Sequence, residues 1–393
     1  MKPTKRRIFC AVLVSAAVAT SGVATAAPAR TGCRGALLSS TVVDRIPADK
    51  VGEYLRKADL DPSRARFGVI AERIEYRTVG VDGRPTVASG LVARPDGNPV
   101  AADLVSWAHG TMIYRGYAPS VSSTDSTRSY AALFASAGYV TSAPDYLGLG
   151  TGPGAHPYLD VNSETTASID ALRATKQLAA RERVRTTDRV LATGFSQGGP
   201  AAMALGRALS RGADPHLKLA ALAPISGPYA LSDVVAKALS DEISDATAYT
   251  SYFTVAWNRL HHLYDSPAEA FRDPAIVALF DGNHPDHEVF PKLPTTVGEL
   301  LTPQFIEKLK HPTGELRRAL RVADATCDWR PGVPVRLFAA SGDHTVPISN
   351  SRTCAERLRE NHGTAEVVDV GAVDHLPSAK RASSQILALF QAA

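Results

Sequence analysis

Apolar and polar positions alternate along residues 70–79 and 85–92, on either side of Asp82-Gly83. Period-two alternation about a turn pair of this kind predicts a β-hairpin. The pattern then changes. Residues 104–108, Leu-Val-Ser-Trp-Ala, form a short apolar run, as expected of a strand covered on both faces. Beyond it, helical and strand signals take turns. A helix over 129–137 stops at Gly138, and a strand follows over 139–143. Residues 164–181 are helical, with Ile169, Leu172, Thr175 and Leu178 three apart. A strand over 190–194, a helix over 197–207 and a strand over 217–222 complete the run. Strands alternating with helices predict an α/β fold, with a mostly parallel sheet flanked by helices on both faces.

After Pro228 the alternation breaks. Residues 229–326 show helical pattern, several aromatics and no clear strand. It resumes as a strand over 335–339, a helix over 354–360, a strand over 365–370 and a helix over 383–390. The organisation read from this is an N-terminal arm over 27–66 with one short helix near 51–58, a core over 67–228, a helical cap over 229–326 and the rest of the core over 327–393. A second independent domain is the competing reading of 229–326.

The first 26 residues read as a targeting segment. Lys2, Lys5, Arg6 and Arg7 precede an apolar stretch over 8–20, and Ala24-Thr25-Ala26 fits a cleavage site after Ala26. The stretch is short for a membrane span, so a secreted protein is expected. The leader fits the ordinary secretory route and partly fits a twin-arginine signal. The segment also changes the charge picture. It carries four of the 43 Lys+Arg and none of the 39 Asp+Glu, so the remainder balances at 39 of each. No basic field is left to attract nucleic acid. Three cysteines lie beyond it, Cys33, Cys327 and Cys354. In an oxidising compartment two should pair, and Cys327 with Cys354 is favoured because both flank the same late strand.

The candidate chemistry starts at Gly194-Phe195-Ser196-Gln197-Gly198, the single G-x-S-x-G of the chain. A strand precedes it and a helix follows, which is the setting of a nucleophile elbow. The sharp turn leaves no room for side chains two residues either side of the serine. Serine needs a base and an orienting acid to become nucleophilic. Asp343 follows the strand over 335–339, at the carboxyl edge where sites form. Asp324 and Asp328 lie at its other end, and Asp374 adjoins the proposed base. That base is His375, after the last strand. His344 shares a turn with Asp343, and His362 ends a helix. Two oxyanion donors are expected, the N–H of Gln197 and the N–H of Thr111 in the loop after 104–108.

Together, Trp107-Ala108-His109-Gly110-Thr111, Pro144-Asp145-Tyr146-Leu147-Gly148-Leu149-Gly150, His156-Pro157-Tyr158, residues 194–199 and Asp343-His344-Thr345-Val346-Pro347 resemble the secretory lipase, lipase A-like family of α/β-hydrolases, over roughly residues 65–390. The resemblance implies an exported serine esterase or lipase with a helical lid and no cofactor. It gives Ser196, Asp343 and His375 the triad roles and Thr111 with Gln197 the oxyanion roles, although some members carry an acidic side chain where Thr111 stands. Trp107 and Tyr146 are expected to bind substrate, with Asp145 a buried carboxylate holding its loop.

Other features read more plainly. His284-Pro285-Asp286-His287-Glu288 does not put two imidazoles on one helical face, so no metal site is expected there. The glycines of 148–154 follow neither dinucleotide nor P-loop spacing. Tyr249, Tyr252, Phe253 and Trp257 are either cap core or acyl-pocket lining. The expected partner is a small-molecule or lipid ester, with transient contact at a lipid interface left open and nothing calling for more than a monomer. Two other functions compete. A serine aminopeptidase of the same fold would need an anchor for the substrate ammonium at Asp241, Glu242 or Asp245, and a non-catalytic binding protein would need none of the triad.

Overall fold

The computed structural model describes residues 33–393 apart from 98, 100 and 123–125. The leader and its cleavage site therefore lie outside the described residues.

The first elements are β1 (Leu37–Ile46), α1 (Ala48–Lys57), β2 (Gly68–Val79), β3 (Pro85–Asp96) and β4 (Ala102–Ala108). They are followed by α2 (Ser126–Ser136), β5 (Val140–Pro144), α3 (Val161–Arg181), β6 (Thr186–Phe195), α4 (Gly198–Ser210) and β7 (Lys218–Ile225). Nine strands form one sheet, in the order β1-β2-β3-β5-β4-β6-β7-β8-β9, where β8 is Val335–Ala339 and β9 Ala365–Asp369. Pairing is antiparallel from β1 to the β3–β5 junction and parallel from β5 through β9. The expected hairpin is β2–β3, closing at Val79 opposite Pro85.

Both faces of the parallel part are covered, and the strands show how. Successive side chains point to opposite faces. In β6, Leu191 packs with Leu55, Phe134 and Ile386, under α1, α2 and the last helix. Its neighbours Val190 and Ala192 pack with Leu172, Met203 and Leu358, under α3, α4 and α12 (Ser349–Glu360). A strand apolar at every position is the consequence, and it explains why 190–194 shows no alternation.

Between β7 and β8 the described residues form helices: α5 (Leu231–Leu239), α6 (Ala246–His261), α7 (Pro267–Ala270), α8 (Asp286–Val289), α9 (Val297–Leu300), α10 (Pro303–Lys310) and α11 (Gly314–Asp324). Their apolar core holds Tyr252, Phe253, Trp257, Phe271 and Phe280, but it does not close on itself. Ile113, Tyr158 and Leu159, from loops of the sheet, complete it. Among the described residues no helix is long and apolar enough to cross a membrane.

The sequence reading differs most at two elements, while α12 and β6 begin five and four residues earlier than expected. The arm contributes β1, an edge strand antiparallel to β2. Its positions are largely exposed and two bulges interrupt its register, so no clean period marks it. The last helix, α13 (His375–Ala392), begins eight residues before 383, at His375 itself. The Asp374 carboxylate accepts from the His375 N–H and starts the helix there.

Cys327 and Cys354 form a disulfide, with Cα atoms 5.3 Å apart, tying the turn before β8 to α12. The two cysteines are 27 positions apart in sequence, and loop-closure entropy for that length corresponds to roughly 3.5 kcal/mol. Replacing both by alanine should lower unfolding free energy by about 2–4 kcal/mol, read in a urea titration. An unchanged midpoint would show that the bond carries no stability.

Candidate active site

Ser196 occupies the turn between β6 and α4 with φ +54°, in the left-handed region. A non-glycine residue stays there only when its surroundings over-determine it. Two backbone bonds do so: Ser196 N–H donates to the Ile225 carbonyl at 3.0 Å, and its own carbonyl accepts from Gly199 N–H at 2.8 Å. Gly194 and Gly198 make the turn possible. A Cβ at Gly198 would sit on the Ala108 carbonyl, and one at Gly194 on the Gly198 carbonyl.

His375 Nε2 lies 2.9 Å from Ser196 Oγ, and His375 Nδ1 lies 2.7 Å from Asp343 Oδ2. A carboxylate only accepts, so Nδ1–H donates to it and Nε2 is left to accept the serine hydroxyl proton. The other Asp343 oxygen accepts from Thr345 N–H at 2.9 Å and Val346 N–H at 2.8 Å. All three side chains are buried, at 6%, 5% and 6% exposure for Ser196, Asp343 and His375. The rivals are elsewhere. His344 and His362 are exposed, Asp324 binds Ser232, and Asp374 caps α13.

The loop after β4 passes over the turn: a Cβ on Gly110 would come within 3.2 Å of the Phe195 ring and 3.4 Å of Ser196 Cβ. Thr111 and Gln197 border the same cavity as Ser196. The Thr111 hydroxyl is engaged with Tyr158 OH at 3.0 Å. Tyr158 stacks on Tyr252 at 4.3 Å, and Tyr252 OH donates to the Met112 carbonyl at 3.0 Å. The helical insertion thus holds this loop.

Two cavities meet at Ser196, with Thr111 and Tyr249 bordering both. One is bordered mostly by apolar side chains, those of α5 and α6 among them. The other is bordered by Trp107, Tyr130, His375, Asp286 and Lys380. Trp107 stacks on Tyr130 with centroids 4.5 Å apart. Tyr146 borders neither cavity. It is 1% exposed, packs on the rings of His109 and His156, and donates its hydroxyl to the His109 carbonyl at 3.3 Å. The aromatic cluster of α6 divides: Tyr249 and Phe253 border the apolar cavity, while Tyr252 and Trp257 fill the insertion's core.

Asp145 does hold its loop. Its buried carboxylate accepts from the Ser89 hydroxyl at 2.6 Å and from both the N–H and the hydroxyl of Ser120. Sequence reasoning missed a second buried carboxyl. Glu164, in the first turn of α3, accepts from Gln197 Nε2 at 2.7 Å, and the same amide nitrogen lies 2.8 Å from His156 Nε2. Burial pushes Glu164 up to about 8 and His156 down to about 3. An acid at the start of a helix reads as favourable dipole placement on an open surface, so no sequence signal distinguished it. Among the described residues no group of three or more His, Cys, Asp or Glu could hold a metal ion.

The fold is that of the α/β-hydrolases. No protein-family model and no curated protein matches the chain, but solved structures do. The rice cell wall degrading esterase LipA from Xanthomonas oryzae, in a ligand-bound form, superposes with TM-score 0.82 at 28% identity, over 92% of this chain and 98% of that one. A protein of Legionella pneumophila gives 0.82 at 25% identity over 91% and 97%. Candida antarctica lipase A, at 14% identity and TM-score 0.62 over 91% and 83%, shares the fold. These likenesses bear out the resemblance to the lipase A-like esterases and lipases, and a hydrolase of esterase type goes with it.

The turn geometry makes Gly198 the position least able to change. Gly198→Ala must displace α4 or the end of β4, and a loss of about 2–4 kcal/mol in unfolding free energy is expected. Thermal melting checks it; a wild-type melting temperature would contradict the reading of the turn.

Proposed function

We propose that this chain is a secreted serine carboxylester hydrolase that cleaves esters of hydrophobic acyl groups through an acyl-enzyme. The continuous hydrogen-bond chain from Ser196 Oγ through His375 to Asp343 carries the reading. Ser196 Oγ attacks the acyl carbon as His375 Nε2 takes its proton. Asp343 keeps the imidazole in the required tautomer and stabilises its cation. The N–H groups of Gln197 and Thr111 receive the oxyanion, at the positive end of α4. Collapse of the intermediate expels the alcohol, which leaves with the proton held by His375. Water then repeats the sequence and releases the acid.

The apolar cavity supports the acyl assignment. Leu231, Val234, Val235, Ala238, Ile243 and Phe253 border it beside Ser196, and a hydrocarbon chain there removes apolar surface from water. The second cavity, with polar side chains at its border, suits the alcohol. Residues 229–326 would then act as a cap, holding the Thr111 loop and forming the acyl wall. Export fits the leader over 1–26, the disulfide and the likeness to LipA. The aminopeptidase reading finds less support: Asp241, Glu242 and Asp245 border neither cavity, and Asp241 already accepts from Val297 N–H at 2.9 Å.

Hydrolysis of p-nitrophenyl esters and labelling by a fluorophosphonate test the mechanism. Ser196→Ala should lose at least about 1,000-fold in kcat and all labelling; retained turnover or labelling would sink the proposal. Preference among acyl groups is checked separately. Val235→Trp fills the apolar cavity from α5, so turnover of octanoyl esters should fall about tenfold or more relative to acetyl esters. An unchanged chain-length profile would place the acyl chain in the other cavity.

A further inference from the structure

The backbone N–H of Gln197 is one of the two proposed oxyanion donors, and its position depends on the peptide joining residues 196 and 197. That peptide follows a residue with φ +54°, and its N–H precedes the helical hydrogen-bond ladder. The carbonyl end of that peptide is tied by Gly199 N–H, which donates to the Ser196 oxygen at 2.8 Å. The Gln197 side chain is a second anchor, and it is 1% exposed, with both protons of its amide spoken for.

The direction of these bonds follows from one end of the chain. The Leu147 carbonyl lies 2.9 Å from His156 Nδ1 and can only accept. Nδ1 therefore carries the imidazole proton and Nε2 is an acceptor, since the ring stays neutral in its buried site. The group facing Nε2 at 2.8 Å must then be the Gln197 amide nitrogen, and its second proton goes to Glu164 Oε1 at 2.7 Å. Glu164 is 1% exposed, and its other oxygen is buried without a hydrogen-bond partner. A charge there would have one donor and no solvent.

The other ionisable groups facing this acid offer no cation. The loop between β5 and α3 brings Tyr146, His156 and Tyr158, and Asp160, which caps α3, opposes ionisation. From β2, Tyr76 OH donates to the Ala167 carbonyl three residues along α3. Burial raises all three phenols, so they stay protonated.

We propose that Glu164 is a positioning residue that, as an uncharged acid, holds Gln197 and so aims the oxyanion-donating peptide beside Ser196. The inference rests on the serine-hydrolase reading above. Ionised Glu164 would place a buried negative charge behind a site that must stabilise a developing negative charge, and catalysis should suffer without loss of substrate binding.

The sign follows. Glu164 is protonated below about 8 and charged above it, so kcat should decline as the pH rises through that value. Glu164→Gln keeps an oxygen acceptor for Gln197 but cannot ionise. Steady-state hydrolysis of p-nitrophenyl butyrate from pH 6 to 10, with circular dichroism confirming the fold at each pH, reads the effect. Wild type should lose activity on the alkaline side. The glutamine variant should keep kcat at pH 7 within about threefold and show no such loss. Glu164→Ala, which removes the acceptor, should lower kcat at least about tenfold at pH 7 with KM within about twofold. If the alanine variant does not fold, the glutamine pH profile decides alone. An alkaline loss identical in wild type and Glu164→Gln, or full kcat in folded Glu164→Ala, would overturn the proposal. These results presuppose an active wild type. Wild type without esterase activity or phosphonate labelling would instead overturn the serine-hydrolase reading itself.

Discussion

The left-handed conformation of Ser196 is the constraint around which the rest is arranged. A side chain at φ +54° costs on the order of 1–2 kcal/mol relative to ordinary backbone, and the fold must supply that from neighbouring contacts. Those contacts demand close approach. The β4 backbone runs against Gly194 and Gly198, Gly199 meets Gly227, and the Ile225 carbonyl takes the serine N–H. Each requires β4, β6 and β7 to lie side by side and parallel, so the strained turn and the central sheet are one structural fact. The return for the strain is placement: the hydroxyl stands clear of the sheet edge where other groups can reach it.

Parallel pairing explains why those groups are near. The strands from β5 to β9 end on the same edge, so the loop after β4 brings Thr111, that after β8 brings Asp343, and that after β9 brings His375. Nothing local in the chain joins these residues, and 179 positions separate Ser196 from His375. The insertion between β7 and β8 leaves from the same edge. It therefore settles against the Thr111 loop through Tyr158 and Tyr252, and walls the apolar cavity with α5 and α6.

What could be read from the sequence follows from which signals are local. Strands buried on both faces leave unbroken apolar runs, so β4 and β6 were legible, and the triad candidates Ser196, Asp343 and His375 were read from their places at strand ends. The Asp343–His375 pairing followed from chain order. β1 was not legible, because an exposed, bulged edge strand keeps no period. The start of α13 was missed because the Asp374 cap is a single hydrogen bond, and Tyr146 was placed in the pocket because its motif says which loop it joins and not which way that loop faces. Glu164 was invisible for a related reason. Burial is what makes an acid unusual, and a first-turn glutamate looks the same whether water or another helix covers it.

Donor supply separates two buried carboxyls, Asp343 and Glu164. Asp343 receives three N–H groups, from Thr345, Val346 and His375, a set able to meet a full negative charge and to turn it toward the imidazole. Glu164 receives one, from Gln197, with its second oxygen enclosed and unmet. Equal burial thus gives opposite consequences, since the energy of a buried charge depends on the dipoles pointed at it more than on depth. On the proposed mechanism one carboxyl faces the cation that forms during proton transfer, where negative charge assists, and the other lies behind the peptide that receives the oxyanion, where negative charge opposes. That mechanism therefore asks for an anion on one side and an undissociated acid on the other, and the N–H groups pointed at each carboxyl match the demand.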